Sequence, residues 1–161
     1  MADKTIQPRS LTGFSRDDLQ KLLREFGEPS YRAGQVCDWV YHKRVADIDA
    51  MSNLSRSLRE QLKVGGLNVR CLQHVRDVDS TDTTRKHLFK LYDGRFVETV
   101  LIPASPALYG DRSDRHTACV SSQVGCAYDC KFCASGLAGF VRNLQPAEIV
   151  EQLIGVDTAF K

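Results

Sequence analysis

From Ser15 onward the apolar positions recur at helical spacing. Leu19, Leu22, Leu23 and Phe26 fall on one side of a helix that Ser15 would cap, with Asp17 and Asp18 in its first turn. Gly27 and Pro29 stop it. A second stripe, Val36, Trp39 and Val40, predicts a helix from about Arg32 to Arg44. A third helix, starting near Asn53 or Ser55, carries Leu58 and Leu62 and ends at Gly65-Gly66. Short amphipathic helices joined by tight turns predict a small bundle. The stripes are its core, and Cys37 and Trp39 read as packing residues rather than ligands.

The period then changes to two. Thr84 to Tyr92 and Arg95 to Ile102 alternate on either side of Asp93-Gly94, the strongest short-range hairpin signal, and Val69 to Val75 is a candidate further strand. In the second hairpin strand Phe96, Glu98, Val100 and Ile102 share one face, and Val97, Thr99 and Leu101 share the other. Glu98 therefore has apolar neighbours. On a solvated edge it is an ordinary carboxylate; on a buried face, desolvation would favour its protonated form and make it a candidate proton acceptor.

Pro103 to Arg115, with two prolines, a glycine and alternating charges, reads as a linker between domains. Thr117 to Ser122 is then a short strand. Gln145-Pro146-Ala147-Glu148 opens a helix with proline in its first turn and Ile149, Val150, Leu153 and Ile154 on its inner side. Strand, loop and helix make one β/α unit.

Composition narrows the class without naming a function. A chain of 161 residues with 42% hydrophobic content can bury one or two modest cores. Its net charge of +2 does not demand a nucleic-acid partner, although 22 basic side chains permit one if they cluster. No apolar run reaches membrane-spanning length, and Met1 to Ser10 lacks the apolar segment of a signal peptide. The expectation is a cytoplasmic protein with no membrane partner.

The loop of the β/α unit holds the chemistry. Cys126, Cys130 and Cys133 stand within one short stretch. A structural zinc site takes four ligands, commonly two separated pairs, and neither Cys37 nor Cys71 makes a C-x2-C pair. A disulfide framework needs an oxidising compartment. Three close thiolates suit an iron-sulfur cluster, and the lack of a fourth would leave one iron open to substrate or cofactor.

That three-then-two spacing resembles the radical S-adenosylmethionine (SAM) enzymes. Further stretches resemble one family among them, the RlmN/Cfr-like radical SAM methyltransferases of a 23S rRNA adenine. They are Tyr31-Arg-Ala-Gly-Gln-Val36 with Trp39 and Tyr41-His42, then Val97-Glu-Thr-Val-Leu-Ile-Pro103, Cys119-Val-Ser-Ser-Gln-Val-Gly-Cys126, Phe132-Cys133 and Gly139-Phe-Val-Arg-Asn-Leu144. They run through nearly the whole chain in the family's order.

The resemblance implies a fold: an α+β N-terminal accessory domain (small helical bundle plus β-hairpin), then the first β/α unit of an incomplete α/β radical SAM barrel. The implied domains are 1–66, helical and RNA-binding; 67–103, the hairpin region; 104–116, a linker; and 117–161, the start of the barrel. It also implies that Cys126, Cys130 and Cys133 hold a 4Fe-4S cluster, that SAM is the second cofactor, that Glu98 matches the proton acceptor, and that Cys119 matches the cysteine that resolves a covalent protein-RNA intermediate. In that chemistry a methyl-cysteine carries the methyl group to C2 of adenine, and the resolving thiol forms a disulfide with the carrier. The implied partners are 23S rRNA and an electron donor for the cluster, with tRNA left open, and the protein is expected to be a monomer.

This sequence departs from the family at points. No cysteine follows Cys133, Ala134-Ser-Gly-Leu-Ala138 replaces the more usual residues, and the stretch between Ile102 and Cys119 is longer. The chain is thus expected to be an N-terminal fragment, inactive alone. C2 methylation is favoured over Cfr-like C8 methylation. On the residues alone Cys119 is a buried strand cysteine. Another radical SAM enzyme, acting on a small molecule or protein, and an electron-transfer or regulatory iron-sulfur protein remain rival readings.

Overall fold

The computed structural model describes residues 8–81, 84–104, 115–128, 130–137 and 139–158. Strand β1, Arg9–Ser10, leads through a tight turn at Leu11–Gly13 into α1, Arg16–Glu25, whose cap is the expected one: Asp18 N donates to Ser15 Oγ at 3.1 Å. Helix α3, Arg56–Val64, repeats the device, with Leu58 N donating to Ser55 Oγ at 3.1 Å. Between them α2, Tyr31–Cys37, is shorter than its apolar stripe implies. Its continuation Asp38–His42 winds wider, closed by Lys43 N donating to the Asp38 carbonyl at 2.9 Å, and ends at Arg44 with φ 55°. In this winding Trp39 Nε1 donates to Asn53 Oδ1 at 2.5 Å and the Tyr41 hydroxyl donates to the Thr12 carbonyl at 3.1 Å.

The helical core is the one the stripes describe: Leu11, Leu19, Leu23, Val36, Val40, Leu58 and Leu62 are buried together, with Cys37 and Trp39 packed partly against them. Strand β2, Leu67–Asn68, pairs in parallel with β1 and closes the bundle.

Four antiparallel strands follow in the order β3, Gln73–Asp79, β4, Arg85–Lys90, β5, Phe96–Pro103, and β6, His116–Cys119. The hairpin turns at Asp93-Gly94, as expected, with Lys90 opposite Phe96. The candidate strand at 69–75 lies further on, at Gln73–Asp79. Val69 belongs to the helical core, and the amides of Cys71 and Leu72 donate to Glu151 rather than to a strand. The proposed linker lies largely outside the described residues, but its ends meet: Ala104 N donates to the Arg115 carbonyl at 2.9 Å, so β5 and β6 are adjacent strands.

The stretch 117–122 is not one strand opening a separate unit. Its first residues complete the hairpin sheet as β6, and the chain then bends at 120–122 into β7, Gln123–Gly125. β7 pairs with β8, Phe140–Asn143, a strand without a strong local signal. A short helix, α4, Ala134–Leu137, lies between them, and α5, Pro146–Thr158, follows.

Helix α5 joins the two cores, and its buried side differs from the expected one. Ile154 is buried, but Leu153 is 46% exposed, while Glu148, Glu151 and Gln152 are almost completely buried. Glycines allow the close approach at both ends. A Cβ on Gly13 would stand 3.2 Å from Ala147 Cβ, and one on Gly155 would stand 2.7 Å from the Phe89 ring. Phe89, Leu91, Val97, Val124 and Leu144 form the second core beneath the sheet.

Candidate functional site

The three cysteines lie on the excursion between β7 and β8, and the neck of that excursion is unusually tight. Gly125 and Gly139 both have positive φ, Cys126 N donates to the Gly139 carbonyl at 3.2 Å, and Gly139 N donates to the Gly136 carbonyl at 3.0 Å. Within the loop Cys133 N donates to the Cys130 carbonyl at 3.1 Å and Gly136 N to the Cys133 carbonyl at 2.9 Å, so the segment winds back through successive turns. Cys126, Cys130 and Cys133 are free, half-buried thiols. Partial burial on one short, closed segment and a soft three-sulfur donor set fit an iron-sulfur cluster. Tyr128, Phe132 and Leu137 beside them are 85%, 93% and 71% exposed.

Glu98 and Cys119 come together on one side of the sheet. Val100 is the cross-strand partner of Cys119, so Cys119, Val100, Glu98 and Ile102 share the face turned away from α5. In this chain that face is open. Glu98 is exposed and pairs with Lys86 Nζ at 3.1 Å, and Cys119 is exposed too. The condition for desolvating Glu98 is therefore not met here, and Cys119 is not a buried strand cysteine. The buried side belongs to Val97, Thr99 and Leu101, because that is the side α5 covers.

The bend between Cys119 and the cysteine loop is held by Gln152. Its Oε1 accepts from Ser121 N and from Thr99 Oγ1, each at 2.8 Å, and its Nε2 donates to the Ser121 carbonyl at 3.0 Å. Ser121 Oγ donates to the Glu98 carbonyl at 2.8 Å. The other side of the neck is held by Arg142, which donates twice to Glu148 at 2.8 Å and once to Asp93 at 2.9 Å. The Glu148 bonds lead in holding that guanidinium firmly protonated. Burial works against the Asp93 carboxylate, but the bonds from Arg142 and the Arg95 amide outweigh it and lower its pKa.

Reading apolar periodicity missed Gln152, Glu148 and Arg142. One local signal was available, since Gln145 N donates to Glu148 Oε2 at 2.8 Å, the reciprocal half of a helix-capping pair. The remaining cysteine, Cys71, is no ligand candidate. Burial, and then the neighbouring Glu151, push its thiol far up from the usual range.

Among the described residues no helix is long and apolar enough to cross a membrane. Residues 9–65 match the family described as the ribosomal RNA large subunit methyltransferase N-terminal domain. The chain is 46% identical over 147 residues to a probable dual-specificity RNA methyltransferase RlmN of Akkermansia muciniphila, covering 91% of this chain and 41% of that protein. It is 43% identical over 155 residues to the dual-specificity RNA methyltransferase RlmN of Campylobacter hominis, covering 90% and 40%. A crystal structure of a radical SAM methyltransferase from Sphaerobacter thermophilus superposes with a TM-score of 0.80 at 38% identity, over 96% of this chain and 44% of that one. The chain thus spans about two fifths of the length of the curated relatives it matches.

Proposed function

Because this chain resembles the N-terminal portion of the RlmN-like radical SAM RNA methyltransferases along 91% of its length, we propose that it is the corresponding part of an enzyme that methylates C2 of an adenine in 23S rRNA, with a tRNA adenine as second substrate. The observation that carries this reading is the closed loop with three free, half-buried thiols next to a strand face bearing Glu98 and Cys119.

In this reading Cys126, Cys130 and Cys133 hold a 4Fe-4S cluster. When bound, the cluster would supply the electron that cleaves SAM. Glu98 takes a proton from the RNA-linked intermediate, and Cys119 offers the thiol that releases product by bonding the carrier sulfur. The helical unit helps grip folded RNA, and β7, the loop and α5 start the barrel. The exposed face of β5 and β6 is where an active site completed by the rest of the enzyme would lie.

Two expected outcomes test this. Anaerobic reconstitution of the chain with iron and sulfide gives a brown protein with about four irons per chain, and replacing any one of the three cysteines by serine lowers that content sharply. A colourless protein binding one zinc would overturn the assignment. In the full-length enzyme Cys119→Ala spares cluster assembly and SAM cleavage but traps RNA on the protein, because release needs a thiol within bonding distance of the carrier. Denaturing electrophoresis then shows a ribonuclease-sensitive, slow-migrating band. Normal release without that band would remove Cys119 from the chemistry.

A further inference from the structure

Strand β3 carries an irregularity that assembles a second group of ligand-type side chains, away from the cysteine loop. Its register against β4 shifts between His74 and Arg76. In a regular strand residues three apart, such as His74 and Asp77, point to opposite faces; the bulge inserts one residue and turns both to the face that meets α5. Asp77 is the cross-strand partner of His87, which brings a second imidazole to the same place.

The three side chains converge on one oxygen. His74 Nε2 lies 2.5 Å and His87 Nδ1 2.7 Å from the same Asp77 Oδ1. His87 is fully buried, and among the described residues its Nε2 has no hydrogen-bond partner. The Asp77 carboxylate oxygen only accepts, so without an ion the His87 ring proton sits on Nδ1, and a metal ion binding there would displace it to Nε2. A bound cation would take the place of the bridging ring protons beside the Asp77 carboxylate.

We propose that His74, Asp77 and His87 form a binding site for a divalent transition-metal ion of the zinc class. Two imidazoles and one carboxylate are borderline ligands that suit Zn2+, and three protein ligands leave a fourth position for water. Among the described residues this is the group of three side chains whose ligand atoms all lie within 4.8 Å of one another. Access exists: His74 is well exposed, and an open cavity of about 410 Å3 lined by His74, Asp77, Arg70, Glu151 and Thr158 adjoins the site. The ion would pin the bulged end of β3 to β4 and to the cavity beside α5. This site shares no residue with the cysteine loop, so it stands or falls independently of the proposed methyltransferase function.

The test uses the full chain with Cys126, Cys130 and Cys133 changed to serine, so that the loop does not compete, and Zn2+ alone as probe. One equivalent should shift the imidazole NMR signals of His74 and His87 together. A hundredfold excess over the dissociation constant should raise the melting temperature by about 5–10 °C. His74→Gln, at an exposed position, should fold normally and weaken binding about tenfold or more; Asp77→Asn should do the same. Unmoved imidazole signals, or zinc affinity unchanged in His74→Gln, would reduce the group to a hydrogen-bonded cluster and overturn the proposal.

Discussion

Replacing Glu151 by alanine is expected to lower the melting temperature by about 10 °C, the largest effect of any side-chain truncation outside the apolar cores. This carboxyl group is 3% exposed and is the point where α5, the helical bundle and the entry to β3 meet. It accepts from Cys71 N at 2.7 Å, Leu72 N at 2.8 Å and the Thr12 hydroxyl at 2.6 Å, and the Ser10 hydroxyl lies 2.6 Å away. Alanine would leave two half-buried backbone amides without this acceptor. Each such donor costs about 1–3 kcal/mol, and with the lost hydroxyl bonds the total is about 3–5 kcal/mol. In a chain of this size each kcal/mol moves the transition by about 2–4 °C. Glu60→Ala is the control. Glu60 is an exposed residue whose one ion pair among the described residues is with Lys63 one turn away, and its loss should shift the transition by about 1 °C or less. Thermal unfolding of both variants decides the matter. Equal shifts would show that Glu151 is not the junction.

Gly125→Ala should abolish ordering of the cysteine loop and, with it, iron uptake. Two costs arise there and they can be separated. The first is conformational, since a φ of 72° is unfavourable for any residue with a Cβ by about 1–2 kcal/mol. The second is steric: the added carbon would fall 1.8 Å from the Gly139 carbonyl oxygen and 2.9 Å from its carbon. Backbone on the opposite side of the neck does not swing aside as a side-chain tip would, so Gly139 has to be pushed away, and the Cys126 amide bond to it breaks. Gly27 has φ 75° and open space around it, so Gly27→Ala carries the first cost alone. Hydrogen exchange across 126–139 and iron content after reconstitution should be near normal in Gly27→Ala and severely altered in Gly125→Ala. Matching behaviour would mean that the neck is not what closes the loop.

Features governed by neighbours in sequence were determined by the sequence itself. The caps at Ser15 and Ser55, the stripes of the helical core, the Asp93-Gly94 hairpin and the alternation along β5 depend on interactions within a few residues. The spacing of Cys126, Cys130 and Cys133 belongs with them, because a short loop keeps its ligands close whatever surrounds it.

Which surface meets which was decided only in the tertiary structure. Alternation along β5 defines two faces, but α5 chose the one with Thr99 to cover and left Glu98 and Cys119 open. The residues at 117–119 had equal local claim to start a new unit, and pairing with β5 drew them into the hairpin sheet. On α5 the apolar pattern nominated Leu153, whereas Glu148, Glu151 and Gln152 are buried, each because backbone amides, hydroxyls or a guanidinium from distant segments satisfy it. The bulge that turns His74 toward Asp77 is likewise a matter of register between strands. A polar side chain loses free energy on burial unless its partners are in place, and those partners are set by chain segments up to 141 residues apart. Local pattern does not record that separation; only the folded arrangement brings the partners together.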